Sequence, residues 1–153
     1  MIQYEITDDA GFINSCLTSP VVWRMGSDDS MAMVNPNLFF AQLGNRFFLK
    51  AGDYGLLVGI PVNSIMLDVH VALLPTARGK AADICLGALM WMANNTQYVR
   101  FVASIPEYNK LAIRLAMNVG MQCIGVNEKS FMKNGNLVNQ ILFGISKEDL
   151  CHQ

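Results

Sequence analysis

The sequence predicts one α+β domain over residues 1–153, built on a mixed, mostly antiparallel central sheet with one parallel βαβ crossover and flanking helices. Three observations predict it. Residues 46–73 hold three runs rich in branched and aromatic side chains, separated by turn residues, which is the pattern of an antiparallel meander. A stretch with helical spacing then leads to another apolar strand at 98–105, and a strand–helix–strand unit of this kind closes a parallel pair. The composition agrees: 153 residues can bury one substantial core, and 52% hydrophobic with 15% charged residues marks a globular chain.

In chain order, residues 2–7 (IQYEIT) alternate and read as an edge strand. Asp8 or Asp9 caps a helix over about 9–18, which Pro20 closes. Residues 19–36 carry Trp23, a methionine cluster and a Gly-Ser-Asp-Asp turn, and read as helical pieces with an exposed loop containing Asp28 and Asp29. From residue 37 the chain turns strand-like, with strands at 46–51, 54–60 and 64–73. Asn45, AGDYG (51–55) and PVNS (61–64) supply the turns between them. After Pro75, apolar residues at 82, 85, 86, 89 and 93 form one helix face. Trp91 and Met92 belong to that helix as core or subunit-interface residues. A strand at 98–105, a helix at 109–119 capped by Gly120, and strands at 121–126 and 137–145 complete the chain. The last two strands are joined by the polar NEKSFMKNGN, in which Asn134-Gly135 is a hairpin turn.

Several function classes are disfavoured by composition. A net charge of −1 with no basic block argues against a nucleic-acid binder and leaves no direct signal for one. Cys16, Cys85, Cys123 and Cys151 lie far apart with no CxxC pair, so neither a structural metal site nor a disulfide framework is expected. Reduced core cysteines fit a cytoplasmic compartment. The N-terminus lacks the basic-then-apolar pattern of a signal peptide, and no apolar run reaches the ~18 residues that a membrane span needs.

Two segments carry a family resemblance. LLPTARGKAAD (73–83) resembles the strand–Pro–x–x–Arg–Gly–Lys run of the GNAT superfamily of N-acetyltransferases, whose signature is Arg/Gln-x-x-Gly-x-Gly/Ala between a strand and a helix. NKLAIRLAMNVGM (109–121) resembles the family's Asn-x-x-Ala-x-x-Leu-Tyr-x-x-x-Gly-Phe helix, with Asn109, Ala112, Leu115 and Gly120 in place. The sequence departs from the family where Ala81 and Asp83 replace glycine or Gly/Ala positions. Ala116 stands at the frequent tyrosine, a general acid for the leaving thiolate, and Met121 at the usual phenylalanine. The chain is also similar to small GNAT-like proteins of tailed phages, which in short-tailed enterobacterial phages lie among the head-assembly genes.

The resemblance implies a GNAT-like fold and acetyl transfer from acetyl-CoA to an unidentified small-molecule or protein amine. It places the cofactor along Leu73 and Leu74, with the pyrophosphate on the amides of Arg78, Gly79, Lys80, Ala81, Ala82 and Asp83, and the pantetheine arm near Asn109. Helix N-termini suit phosphate because their first amides are unpaired and the dipole is positive there. Asp83 opposes this: at ~5 Å and an effective dielectric of about 20, each like-charge pair costs roughly 3 kcal/mol. Asp83 is equally a good first-turn helix residue with no phosphate bound, and Asn109 equally a simple helix cap.

Asp68 and His70 are the candidate proton acceptors for the amine, since period-two spacing puts both on one strand face. A structural Asp68–His70 hydrogen bond is the alternative. The competing reading of the whole chain is a non-catalytic GNAT-fold phage protein acting in head assembly or ejection. It would bind a phage structural protein or form a homo-oligomer, in the host cytoplasm or on the virion.

Overall fold

A computed structural model describes residues 1–31 and 46–153. Seven strands form one sheet in the order β1-β2-β3-β4-β5-β7-β6. They are β1 (Tyr4–Thr7), β2 (Phe47–Ala51), β3 (Gly55–Pro61), β4 (Met66–Leu73), β5 (Arg100–Pro106), β6 (Gln122–Lys133) and β7 (Asn136–Ser146). The α-helices among the described residues are α1 (Ala10–Leu17), α2 (Pro20–Gly26), α3 (Ala81–Asn95), α4 (Lys110–Asn118) and α5 (Lys147–Cys151). Every pairing is antiparallel except β4 with β5, which α3 connects. This is the predicted mixed sheet with its single parallel crossover.

The caps agree with the sequence in detail. Asp9 accepts the Phe12 amide at 3.0 Å and starts α1. Asn109 accepts the Ala112 amide at 3.2 Å and starts α4. Gly120, at φ +88°, ends α4 in a Schellman motif: its amide reaches Met117 and the Met121 amide reaches back to the Ala116 carbonyl.

Three expectations are corrected. Pro20 does not close the first helix, which ends at Leu17; it opens α2, where a first-turn proline loses no ladder bond. The polar segment 127–133 is not a connector but the continuation of β6. An edge strand pairs on one side only and tolerates charge, and register shifts at Cys123/Gly125 and Asn127/Phe131 absorb the irregular alternation. The third is α5, which the reading missed although Ser146 and Asp149 form a capping box. The strand-like reading from residue 37 to 45 and the Asn45 turn lie outside the described residues.

The sheet buries both faces. On one, Leu67, Val69, Phe101 and Phe143 pack against Cys85, Leu89 and Met92 of α3. On the other, Ile13 and Cys16 of α1 cover Leu56, Val58 and Ala72. Tyr4 ties β1 to α3 by donating to the Ile84 carbonyl at 2.9 Å, over Gly87, where any Cβ would collide with the phenol. No helix among the described residues is long and apolar enough to cross a membrane.

The cysteines divide by environment. Cys16 and Cys85 are buried while Cys123 and Cys151 are exposed. Burial pushes the Cys85 thiol up to about 12 and raises that of Cys16, so neither offers thiolate near neutrality. A thiol reagent at pH 8 should therefore label two sites promptly in the native protein and four after unfolding. Prompt native labelling of Cys85, read by peptide mapping, would contradict this packing.

Candidate active site

The parallel pairing of β4 with β5 lasts for three residues: Met66–Arg100, Leu67–Phe101 and Asp68–Val102. Beyond Asp68 the two strands part, leaving a gap walled by residues 69–73 on one side and 103–106 on the other. β3 holds β4 as far as Leu73, and β7 holds β5 as far as Pro106. Both walls are therefore anchored from behind, while the backbone edges facing the gap have no ladder partner among the described residues.

Asp68 and His70 stand at the fork. They share a face with Ala72, which packs toward α1, so the expectation that period two brings them together holds. His70 Nε2 lies 3.2 Å from Asp68 Oδ2, and their side chains are 49% and 28% exposed. The other carboxylate oxygen, Asp68 Oδ1, is buried and has no hydrogen-bond partner among the described residues. Residues 32–45 contain no charged side chain, so that segment cannot supply Asp68 with a counter-ion. Two positions beyond Val102 on β5, Ser104 is exposed on the same face. The sequence reading passed over Ser104; its parity with Val102 was the available signal.

At the far end of β4 the chain makes consecutive tight turns into α3. Pro75–Ala77 is a single 3₁₀ turn; the Arg78 amide donates to Pro75 at 3.1 Å and the Lys80 amide to Ala77 at 2.9 Å. Gly79 sits at φ +79° with open space around it, so its backbone angle rather than crowding calls for glycine there. The ladder of α3 begins with the Ile84 amide on the Lys80 carbonyl. The amides of Ala81, Ala82 and Asp83 lie ahead of that first bond and point out of the helix start, as they do in any α-helix.

Together these features form a cleft between two splayed parallel strands, with a helix N-terminus at its mouth. The chain superimposes on spermidine N-acetyltransferase from Vibrio cholerae in complex with CoA and spermine, with a TM-score of 0.75 and 15% identity over 98% of each chain. It is also similar to an acetyltransferase of the GNAT family from Bacillus anthracis, with a TM-score of 0.72 and 13% identity over 97% of this chain and 99% of that one. The fold is the GNAT fold. No family sequence model and no curated protein sequence matches the chain, so the likeness is one of architecture.

Within the GNAT fold the remaining predicted residues fall as follows. Arg78 is exposed at the mouth with no ion pair among the described residues. Lys80 is turned aside: its ammonium donates to the Tyr54 hydroxyl at 3.1 Å and lies over that ring, on the β3 side of β4. The backbone of Leu74 is engaged, its amide with Tyr54 and its carbonyl with Ala77. Leu73 is half-buried against the α3 core. Asp83 is exposed, so solvent screens its charge and weakens the repulsion expected from sequence. Asn109 uses its side-chain oxygen as a helix cap. Ala116 is 6% exposed and belongs to the core, so no side-chain donor reaches the cleft from that position.

The acidic pair of the α2–β2 connection is more ordered than a solvated loop. Asp28 accepts from the Ser30 hydroxyl and the Met31 amide. Burial alone would raise its carboxyl, but these hydrogen bonds and Lys133 hold it below the usual range. Asp29 accepts both turn amides of the β6–β7 hairpin, Asn134 at 2.7 Å and Gly135 at 2.8 Å.

Proposed function

We propose that this protein is a CoA-thioester-dependent N-acyltransferase that moves an acetyl group from acetyl-CoA to an amine. The observation that carries the reading is the three-residue β4–β5 pairing, which opens a cleft with a helix N-terminus at its mouth and the Asp68–His70 pair at its fork. The residues present fit the group. The first-turn amides of α3 and the Arg78 guanidinium suit a pyrophosphate, and the unpaired strand edges suit an amide-bearing arm. When bound, acetyl-CoA supplies the activated acyl group.

The chain's own residues handle the amine. The amine is held at the fork by the Asp68–His70 pair, with its lone pair directed into the cleft. The proton given up passes to Asp68, across the 3.2 Å contact to His70, and from the exposed imidazole to solvent. No hydroxyl at position 116 assists the leaving thiolate. That absence, with Asp83 at the cleft mouth, favours a second reading in which the GNAT fold binds a CoA-like ligand or a protein partner without efficient turnover.

Calorimetric titration with acetyl-CoA and CoA tests the reading. Binding at micromolar concentration is expected. Arg78→Ala should weaken it by about 1–3 kcal/mol, the range of a charge-assisted hydrogen bond, and Asp83→Gly should tighten it. Heat signals unchanged by both substitutions would remove the α3 N-terminus from the site.

A further inference from the structure

Ser104 faces His70 across the open part of the cleft. Asp68 and Val102 are the last pair of the β4–β5 ladder, and His70 and Ser104 stand two residues beyond them on their strands. Parity sets the faces. Phe101, Ala103 and Ile105 turn to the α3 core, so Ser104 turns to the opposite side of the sheet. His70 is paired with Val58 and stands two residues from Ala72, both of which pack under α1, so it shares that side. A row across the sheet therefore runs Val58, His70, gap, Ser104, Leu142.

Both polar members of the row are exposed. No hydrogen bond among the described residues joins them or engages the Ser104 hydroxyl. Ser15, Ser19, Ser30, Ser130 and Ser146, by contrast, commit theirs to nearby backbone or carboxylate groups. Paired strands lie about 4.8 Å apart, and β4 and β5 have begun to part at this row. Two hydrogen bonds of about 2.9 Å that meet on one tetrahedral nitrogen hold their acceptors about 5 Å apart. A single nitrogen is thus the size of bridge that facing side chains at the start of such a gap require.

We infer that Ser104 is the second hydrogen-bond acceptor for the amine, with one N–H on the Asp68–His70 pair and another on Ser104 Oγ. The inference deepens the acyl-transfer reading and rests on it. Two directions of the nitrogen are then taken by protein and one is turned to the gap, which leaves one for carbon. The acceptor is therefore a primary amine, and Ser104 selects it.

The test is an amide-resolved NMR titration of the full chain, without CoA, using benzylamine and N,N-dimethylbenzylamine. Their ammonium ions carry equal charge but three N–H groups and one. Saturable shifts at His70, Ser104 and Leu142 are expected with benzylamine, at about millimolar concentration for so small a ligand. The dimethyl compound, which cannot span the row, should bind at least about fivefold more weakly. Ser104→Ala should bring benzylamine down to about that level and leave the dimethyl compound unchanged, while Ser104→Thr, which keeps the hydroxyl, should retain the preference. Ser104 is exposed, so both variants keep the fold, and their spectra serve as the control. Equal binding of the two amines, a preference that survives Ser104→Ala, shifts mapping elsewhere, or no saturation would each overturn the assignment. Since no CoA is present, such a failure is separate from failure of the calorimetric CoA titration, which would remove the acyl-transfer reading itself.

Discussion

Gly55→Ala should cost this protein about 3 kcal/mol of folding stability or more. Gly55 opens β3 opposite Leu73 with φ +126°, a backbone angle that L side chains rarely adopt. A Cβ there would lie 2.3 Å from the Ala72 carbonyl oxygen and 2.8 Å from the Leu73 Cα. Both neighbours are backbone of β4, pinned by seven paired positions to β3, so no side-chain rotation relieves the contact. Left-handed strain of about 1–2 kcal/mol adds to an overpacking cost of about 1–3 kcal/mol. For a chain of this size that is a fall of about 6–12 °C in Tm. Gly135→Ala is the natural control: φ is +76° but nothing lies within 4 Å of its Cβ, so it should show the backbone strain alone. Urea unfolding of both variants decides the matter, and equal losses would mean that β4 yields to the extra methyl. If β4 shifts instead of unfolding, the cleft wall that follows moves with it.

Turnover with simple amines or generic peptides should fall at least about a hundredfold below a typical enzyme's ~10 per second. Ala116 occupies the position where the family resemblance implies a tyrosine acid, and the structure buries it in the core at 6% exposure. General acid–base assistance contributes about 10²–10⁴-fold, and no other residue of α4 offers a hydroxyl or thiol. Installing a phenol by Ala116→Tyr should not restore the rate. The side chain would have to enter a packed core, at an overpacking cost of about 1–3 kcal/mol. A steady-state assay for free thiol, run with wild type and variant beside a melting curve, separates lost chemistry from lost fold. Robust acetylation of any small amine by the unmodified chain would overturn the expectation.

Much of this architecture is written locally. The strands at 46–73 announce themselves because β-branched runs alternate with Gly-, Asp- and Asn-bearing turns, and α4 because Asn109 and Gly120 mark both its ends. β6 was legible only to residue 126, because what keeps 127–133 extended is its partner β7 and not its own composition. The α5 capping box was legible and passed over. At the site, the Asp68–His70 pair follows from strand parity alone. The diversion of Lys80 to Tyr54 does not, since those residues are neighbours only after β3 and β4 pair. Likewise, Asp28 and Asp29 read as a loop because the hairpin amides that Asp29 binds come from far along the chain.

The short parallel contact between β4 and β5 also bears on how the chain reaches its native state. β2, β3 and β4 are successive hairpin neighbours, and so are β6 and β7, so each group can register by closing short loops. The join between the groups returns three paired positions after the whole crossover through α3 has been ordered. Loop-closure entropy has to be met before such a contact contributes. The two halves are therefore expected to acquire order separately, with α3 docking on both as the late event and the fork at Asp68 among the last places to become native. A substitution in the α3 core face, at Leu89 or Met92, would then slow the joining of the halves more than one in either hairpin group.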